Sequence, residues 1–199
     1  MLTLFSRSDD AYCHWVRVVL AEKALAVRVV ETDPSHPPED LIDLNPYQSV
    51  PTLVDRDLVV YEPAVIGDSL DERSPHPAML PHEPGARAQA RVVLHRIERD
   101  WYGCAEVLHS DEGRELNKAR RRLLESVLAV EPLFRIKAWF LSDQFSLLDA
   151  AVAPILWRLP HWRIEMPAGA ESIQRYGERL FSRPAFNDSL SEVEREMRM

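Results

Sequence analysis

Three side chains near the expected start of the first helix have the chemistry of a thiol site. Cys13 lies in the first predicted turn, where the amides and the dipole of a helix favour a thiolate and lower its pKa. Tyr12 carries a hydroxyl that can donate to a bound thiolate. An ionised Asp10 would raise the pKa of a neighbouring thiolate, but it suits the helix cap. These residues predict either a thiol site at Tyr12 or Cys13, or a capped helix in which both side chains pack or lie on the surface.

A second group of residues has the character of a binding loop. His76 stands between two prolines, each of which restricts its own φ and the residue before it, so we expect a stiff, extended loop. Such a loop loses little freedom on docking, and the acids beside it would complement a basic partner. Arg73 either holds the loop through an ion pair or meets the partner. On composition alone, a rigid domain connector is the simpler interpretation. The candidate partner-binding residues are Asp71, Glu72, Arg73, Pro75, His76 and Pro77.

The elements that carry these residues fall into two groups. Apolar runs and helical patterns alternate up to about residue 73 in the order β-α-β-α-β-β-α, and every later pattern is helical. The stretch Ser74 to Gly85 holds four prolines and cannot continue a helix. We therefore predict an α/β plus all-α fold, with a thioredoxin-like N-terminal domain at 1–76, a linker at 77–85 and an all-helical C-terminal domain at 86–199.

Several features organise the predicted helical domain. A long helix is expected from Glu115 to about Phe134, and Ser146 with Asp149 forms an S-x-x-D capping box before an apolar helix. A row of cations at spacing four predicts either a solvated helix face or a contact with acids of a second subunit; it comprises Arg87, Arg91, His95 and Arg99.

The charge distribution limits the possible partners. Residues 1–85 carry 6 Lys and Arg against 15 Asp and Glu, a balance of −9, whereas residues 86–199 carry 18 against 17, a balance of +1, which together give the net −8. An acidic front disfavours direct, sequence-specific nucleic-acid binding. No long apolar run or signal-like start is present, so we expect a cytoplasmic protein without a membrane span. The spacing of Cys13 and Cys104 predicts neither a disulfide framework nor a metal site, and no cofactor is expected.

The segment NPYQSVPTLVDRDLVVYEP, residues 45–63, together with the proline-rich linker, the all-helical domain and the capped apolar helix, resembles the glutathione transferase superfamily. The resemblance implies that Pro51 follows a cis bond and that the backbone of Val50 pairs with glutathione, although such a proline also supports the fold without a ligand.

The combination of LDERSPHP, HRIERDWY and FLSDQFSLLDAAVAPILWRLP is similar, within that superfamily, to the stringent starvation protein A family. This resemblance implies a homodimeric, non-enzymatic regulator of stress and stationary-phase transcription. It implies association with RNA polymerase holoenzyme through the primary sigma factor. It also implies that the loop Pro75-His76-Pro77 is needed for transcription activation.

The resemblance further predicts that the glutathione cleft is vestigial. The position of the catalytic Ser or Cys falls at Asp10 or Ala11, neither of which can activate a thiolate. Pro63 stands where transferases offer a hydroxyl and an N–H to the γ-glutamyl carboxylate, yet it suits the first position of a helix that Glu62 caps. Two alternatives stay open: a glutathione-dependent transferase or peroxidase using Tyr12 or Cys13, and a small-molecule sensor. The predicted vestigial cleft comprises Asp10, Tyr12, Val50, Pro51, Glu62 and Pro63.

Overall fold

A four-stranded mixed sheet forms the centre of the N-terminal part in the computed structural model, which describes residues 1–110 and 113–198. The strand order is β2-β1-β3-β4, with β1 and β2 parallel and the other two pairs antiparallel. Leu4 pairs with Val29 on one side and Leu53 on the other. The strands are β1 (Leu2–Ser6), β2 (Val27–Glu31), β3 (Thr52–Asp55) and β4 (Leu58–Tyr61).

Three helices complete this part in the predicted order β-α-β-α-β-β-α. The first and third pack against each other, and the first contributes Trp15, Val16 and Val19 to the core. Proline begins the third helix, where its missing N–H has no intrahelical partner to lose. These helices are α1 (Ala11–Glu22), α2 (Glu39–Leu44) and α3 (Pro63–Arg73).

The C-terminal part is helical, as predicted, and the segment 74–83 joins it to α3. A π-helical turn at Glu98–Tyr102 links its first two helices, and a 3₁₀ turn lies at Glu131–Arg135. Among the described residues, no helix has the length and apolar character needed to cross a membrane. The helices are α4 (Pro84–Ile97), α5 (Gly103–Ser110), α6 (Arg114–Ala129), α7 (Leu147–Arg158), α8 (Glu171–Phe181), α9 (Pro184–Ser189) and α10 (Glu192–Glu196).

The helix predicted to reach Phe134 ends earlier, at Ala129. Pro132 lies in the 3₁₀ turn that follows, and a proline disfavours continuation of an α-helix because it lacks the N–H and clashes with the preceding turn. The capping box is confirmed: the Ser146 Oγ accepts from the amide of Leu148, and Asp149 accepts from the amide of Ser146. The box begins α7, a helix buried around almost its whole circumference.

A buried ion cluster joins the N-terminal and C-terminal parts. Glu194, on α10, is fully buried and accepts two hydrogen bonds of 2.7 Å from Arg17 on α1. It also accepts from Arg158 at the end of α7. Arg158 in turn donates to Nδ1 of His14 over 2.9 Å. The C-terminal helix thereby fixes the position of α1, whose first turn faces the helical domain.

Candidate functional site

Asp10 acts as the cap that the sequence predicts. Its backbone is extended, and its carboxylate accepts from the amide of Cys13 at 2.7 Å. The next residue, Ala11, is buried and has no hydrogen-bonding side chain. The anionic group at the start of α1 is therefore part of the chain itself, in the place where a bound thiolate would otherwise be stabilised.

Cys13 is unsuited to nucleophilic chemistry in this fold. Its side chain is fully buried, and the sulfur accepts a 3.3 Å hydrogen bond from the amide of Arg7. Burial raises the pKa of this thiol well above its usual range, and Asp10 raises it further. The prediction of a lowered pKa is thus wrong, because desolvation and the neighbouring carboxylate outweigh the helix dipole.

Tyr12 is committed to a contact between the two parts of the chain. Its hydroxyl donates to Glu106 on α5 over 2.8 Å, and its ring packs against Tyr102 with centroids 4.5 Å apart. Burial raises the pKa of Tyr12 far above its usual value, and the hydrogen bond to Glu106 raises it further. The hydroxyl therefore stays protonated and directed at a carboxylate.

A cavity of about 230 Å³ lies between the start of α1 and the helical domain. Asp10 and Tyr12 line it, whereas Val50, Pro51, Glu62 and Pro63 do not. Arg7 and Asp9 form an ion pair at its edge, and His109 lies 3.3 Å from Asp9. Within residues 1–110 and 113–198, no three His, Cys, Asp or Glu side chains are grouped so that they could hold a metal ion.

The remaining residues of the predicted cleft have the cis bond that the resemblance implies, and Pro63 supplies no donor. The Val50–Pro51 bond is cis, as the resemblance implies. Glu62 has a φ of 69° and is exposed, and its carbonyl accepts the first helical hydrogen bond from Ile66 at 2.9 Å. Pro63 is buried at the first position of α3. Neither a hydroxyl nor an N–H is available at that position.

Carboxylates from both parts of the chain act on one another near Tyr12. Burial raises the pKa of Glu98, and the charges of Glu62 and Glu106 raise it further. Glu62 lies in the N-terminal part, whereas Glu98 and Glu106 lie in the helical part. These carboxylates repel one another, whereas the charge of His95 acts in the opposite direction on Glu98.

The Pro75-His76-Pro77 loop lies at the surface with all three residues exposed, and its His76–Pro77 bond is cis. Arg73 forms a 2.8 Å ion pair with Asp55, so it holds the end of α3 against the sheet. The exposed Glu72 lies 3.3 Å from Arg87.

Asp71 is placed differently from the sequence prediction. Its side chain is buried and accepts a 2.8 Å hydrogen bond from Nζ of Lys23. The prediction that Asp71 contacts a partner directly is wrong for this conformation, because its carboxylate faces the interior.

Lys23 is a buried residue that the sequence predictions do not include. A lysine is expected at the surface, but this one is only 5% exposed. Val16, Val19 and Leu20 mark the apolar stripe of α1, and position 23 continues that stripe at helical spacing. This helical spacing is the feature of the sequence that indicates burial of position 23.

Arg87 and Arg91 were predicted to meet either solvent or a second subunit. Both pair with Asp68 on α3, at 3.1 and 2.5 Å. The two cations therefore join α4 to α3 within one chain.

Comparison with known proteins identifies the same two-part organisation. Residues 11–73 match the family model of the glutathione S-transferase N-terminal domain, and residues 85–184 match that of the C-terminal domain. A stringent starvation protein A homolog of Coxiella burnetii is 44% identical over 100% of this chain and 95% of its own length. Its counterpart in Haemophilus influenzae is 42% identical over 97% and 92%. The tau class glutathione S-transferase of mango superposes with a TM-score of 0.84 at 22% identity, over 99% of this chain and 96% of its own, a likeness of fold.

Proposed function

Because the chain belongs to the stringent starvation protein A family, within the glutathione transferase superfamily, we propose that it is a non-enzymatic regulator of transcription. In this proposal it associates with RNA polymerase holoenzyme through the primary sigma factor and acts in stress and stationary-phase gene expression. A protein that associates with RNA polymerase in this way would act in the cytoplasm. No direct reading of DNA sequence is involved.

The state of the cleft supports a function other than glutathione chemistry. Asp10 occupies the start of α1, and Tyr12 donates to a carboxylate of the helical part. Pro63 offers no donor to an anion, and the carboxylates around Tyr12 oppose one. A thiolate bound here would meet neither of the stabilising interactions that lower its pKa.

The observation that carries the proposal is the exposed Pro75-His76-Pro77 loop. It lies between the buried Asp71 and the buried Met79 and Leu80, so the chain is held on both sides of it. A short exposed loop between fixed ends presents its side chains with little loss of entropy on binding. Glu72 adds an exposed acid beside it, which suits the basic surface of a DNA-binding factor.

The direct test is size-exclusion co-elution with purified polymerase carrying its primary sigma factor. The test variant replaces Pro75, His76 and Pro77 by Ala. The chain offers a matched control in a second exposed loop that contains the same residue types: Pro34, His36 and Pro37, also replaced by Ala. We expect the unaltered protein and the control to co-elute with holoenzyme, and the test variant to elute alone with unchanged circular dichroism.

Three other outcomes of the co-elution test would contradict part or all of the proposal. If the unaltered chain fails to co-elute at micromolar concentration, association with polymerase is wrong. If both triple variants co-elute, the partner site lies elsewhere on the surface. If both fail, the loss reflects a general effect of removing loop prolines.

We further propose that the protein is a homodimer joined through α3 and α4. Val65 and Val92, on these helices, are 53% and 61% exposed in the single chain. Val65 lies one turn from Asp68, and Val92 follows Arg91, so both flank the ion pair that joins the two helices. Burying two exposed apolar side chains beside a satisfied ion pair favours association.

Sedimentation velocity tests the dimer with two matched double variants. Val65→Glu with Val92→Glu is expected to sediment as a monomer. Val29→Glu with Val193→Glu alters two valines of similar exposure on other elements, 47% and 43%, and is expected to remain dimeric. A monomeric unaltered protein at tens of micromolar would refute the dimer, and a dimeric Val65/Val92 variant would refute this interface.

A further inference from the structure

Lys23 is a buried lysine whose three donors all have partners near the exposed loop. It follows the last residue of α1, and its Nζ donates to Asp71 Oδ1 at 2.8 Å. The same nitrogen donates to the carbonyl oxygens of Ser74 at 2.7 Å and of Pro77 at 2.8 Å. An ammonium group has three donors, so its hydrogen-bonding capacity is fully used.

Asp71 extends this contact beyond the loop. Its Oδ1 accepts from the amide of Met79 at 2.8 Å, and its Oδ2 accepts from the amide of Leu80 at 3.1 Å. The carbonyl of Met79 then accepts from the amide of Leu147 at the start of α7, at 2.9 Å. One buried ion pair therefore holds the backbone on both sides of His76 and joins it to the helical part.

We propose that Lys23, acting with Asp71, is the positioning residue of the Pro75-His76-Pro77 loop. This inference rests on the proposed function of that loop. The two prolines restrict the loop's own torsions, but they do not fix its ends relative to the fold. The Lys23 ammonium does so, because it bonds the carbonyls that precede and follow His76. A partner then meets a loop already held in one conformation.

The chemistry of the site explains why a lysine is needed there. An apolar side chain of similar length would leave the part-buried carbonyls of Ser74 and Pro77 without this donor. The buried Asp71 carboxylate would keep the amides of Met79 and Leu80 but lose its counter-charge, which is strongly unfavourable. Such a variant would relieve the deficit by letting the loop move towards water. If the binding-competent loop conformation then fell to a tenth of the population, the apparent Kd would rise about tenfold.

The test compares Lys23→Met with Leu123→Ala, a core truncation on α6 chosen for a similar fall in Tm. Leu123 is fully buried on α6 in the helical part, whereas the ion pair joins the end of α1 to α3. The free proteins are examined first. We expect Lys23→Met to speed amide exchange at Met79 and Leu80 and to shift the His76 imidazole resonance, with both unchanged in Leu123→Ala.

Holoenzyme affinity is measured second, at equal fractions of folded protein. We expect the Kd of Lys23→Met to rise about tenfold. That of Leu123→Ala should stay within about twofold, because global stability alone does not set loop geometry. If Lys23→Met does not fold, Asp71→Asn is judged by the same two measurements, because it removes the charge of the pair and retains its size.

The possible outcomes distinguish a failure of the positioning role of Lys23 from a failure of the proposed association with polymerase. Unchanged exchange at Met79 and Leu80 and an unchanged His76 resonance would refute the positioning role, whatever polymerase does. A loosened loop with unaltered Kd would refute its importance for recognition. If the unaltered chain binds no polymerase, the proposed function is wrong, and the exchange data still decide whether Lys23 positions the loop.

Discussion

Replacement of Glu194 by Gln tests the buried cluster that joins the two parts of the chain. Glutamine keeps the size of the side chain but has one acceptor oxygen in place of two. In Glu194, Oε1 accepts from Arg17 and Arg158, whereas Oε2 accepts from Arg17 and, over 2.9 Å, from the amide of Ser191. The replacement removes the negative charge that faces Arg17 and Arg158. The side chains of these two residues are 11% and 2% exposed, so neither cation can turn fully into water.

The expected loss follows from the burial of both partners. Removing one member of a buried ion pair costs about 3–5 kcal/mol, because the remaining charge stays desolvated and unpaired. With its oxygen at the Oε1 position, glutamine would still accept from both guanidinium groups but would lose the hydrogen bond from the Ser191 amide, so a loss within that range is expected. For a chain of this length each kcal/mol lowers Tm by about 2–4 °C, so we expect a fall of roughly 6–20 °C.

Urea unfolding followed by tryptophan fluorescence and by far-ultraviolet circular dichroism measures this change. Glu192→Gln provides the control, since Glu192 is an exposed acid on the same short helix, and its replacement should shift the unfolding free energy by less than about 0.5 kcal/mol. A loss below about 1 kcal/mol in Glu194→Gln would refute the view that this cluster stabilises the contact between α1, α7 and α10.

Three further predictions concern the cleft, pH and the start of α7. Pro63→Ser introduces a hydroxyl and an N–H at the start of α3, and two hydrogen bonds to a carboxylate at roughly 1.5–3 kcal/mol each should strengthen glutathione binding measured by calorimetry. Equal affinity in the unaltered chain would contradict this. Burial, Arg158 and Arg17 hold the pKa of His14 well below its usual value, so protons bind the unfolded chain preferentially. The free energy of unfolding should therefore fall as pH drops below about 6.5, by up to about 1.4 kcal/mol per pH unit. We expect His14→Gln to reduce this slope, and replacement of an exposed histidine to leave it unchanged. Asp149→Ala removes the acceptor of the Phe140 amide and should cost roughly 2–4 kcal/mol in urea unfolding, whereas a change at the 73%-exposed Asp143 should cost little.

Local signals in the sequence predict much of the fold. Pro63 begins α3 and Asp10 caps α1, because both features depend on residues within one helical turn. The alternation of strands and helices up to residue 73 likewise reflects local periodicity. Pro132 is a local signal for an end of α6 before Phe134, because proline disfavours a helix interior.

Local sequence signals do not predict polar pairs between residues that are far apart in the chain. Lys23 meets Asp71 across 48 positions, and Arg17 meets Glu194 across 177. The sequence favours a solvated position for each of these charges when it is considered alone, and burial becomes favourable only when the fold supplies the partner. For the same reason Asp71 was assigned to the surface when it lies inside.

The predicted cleft and the Pro75-His76-Pro77 loop differ in how the fold uses their polar groups. This difference indicates which of the two the fold maintains for function. At the start of α1 the chain satisfies its own amides with Asp10, and Tyr12 is bonded to Glu106, so Ala11→Ser alone would add a hydroxyl without removing either competitor. Around His76 the opposite holds: a buried ion pair, which is expensive to desolvate, fixes a short loop whose own side chains contribute no core packing. A connector between domains needs no such restraint, because an exposed segment can satisfy its carbonyls with water. The placement of Lys23 is therefore better explained by a requirement for one loop conformation than by stability alone.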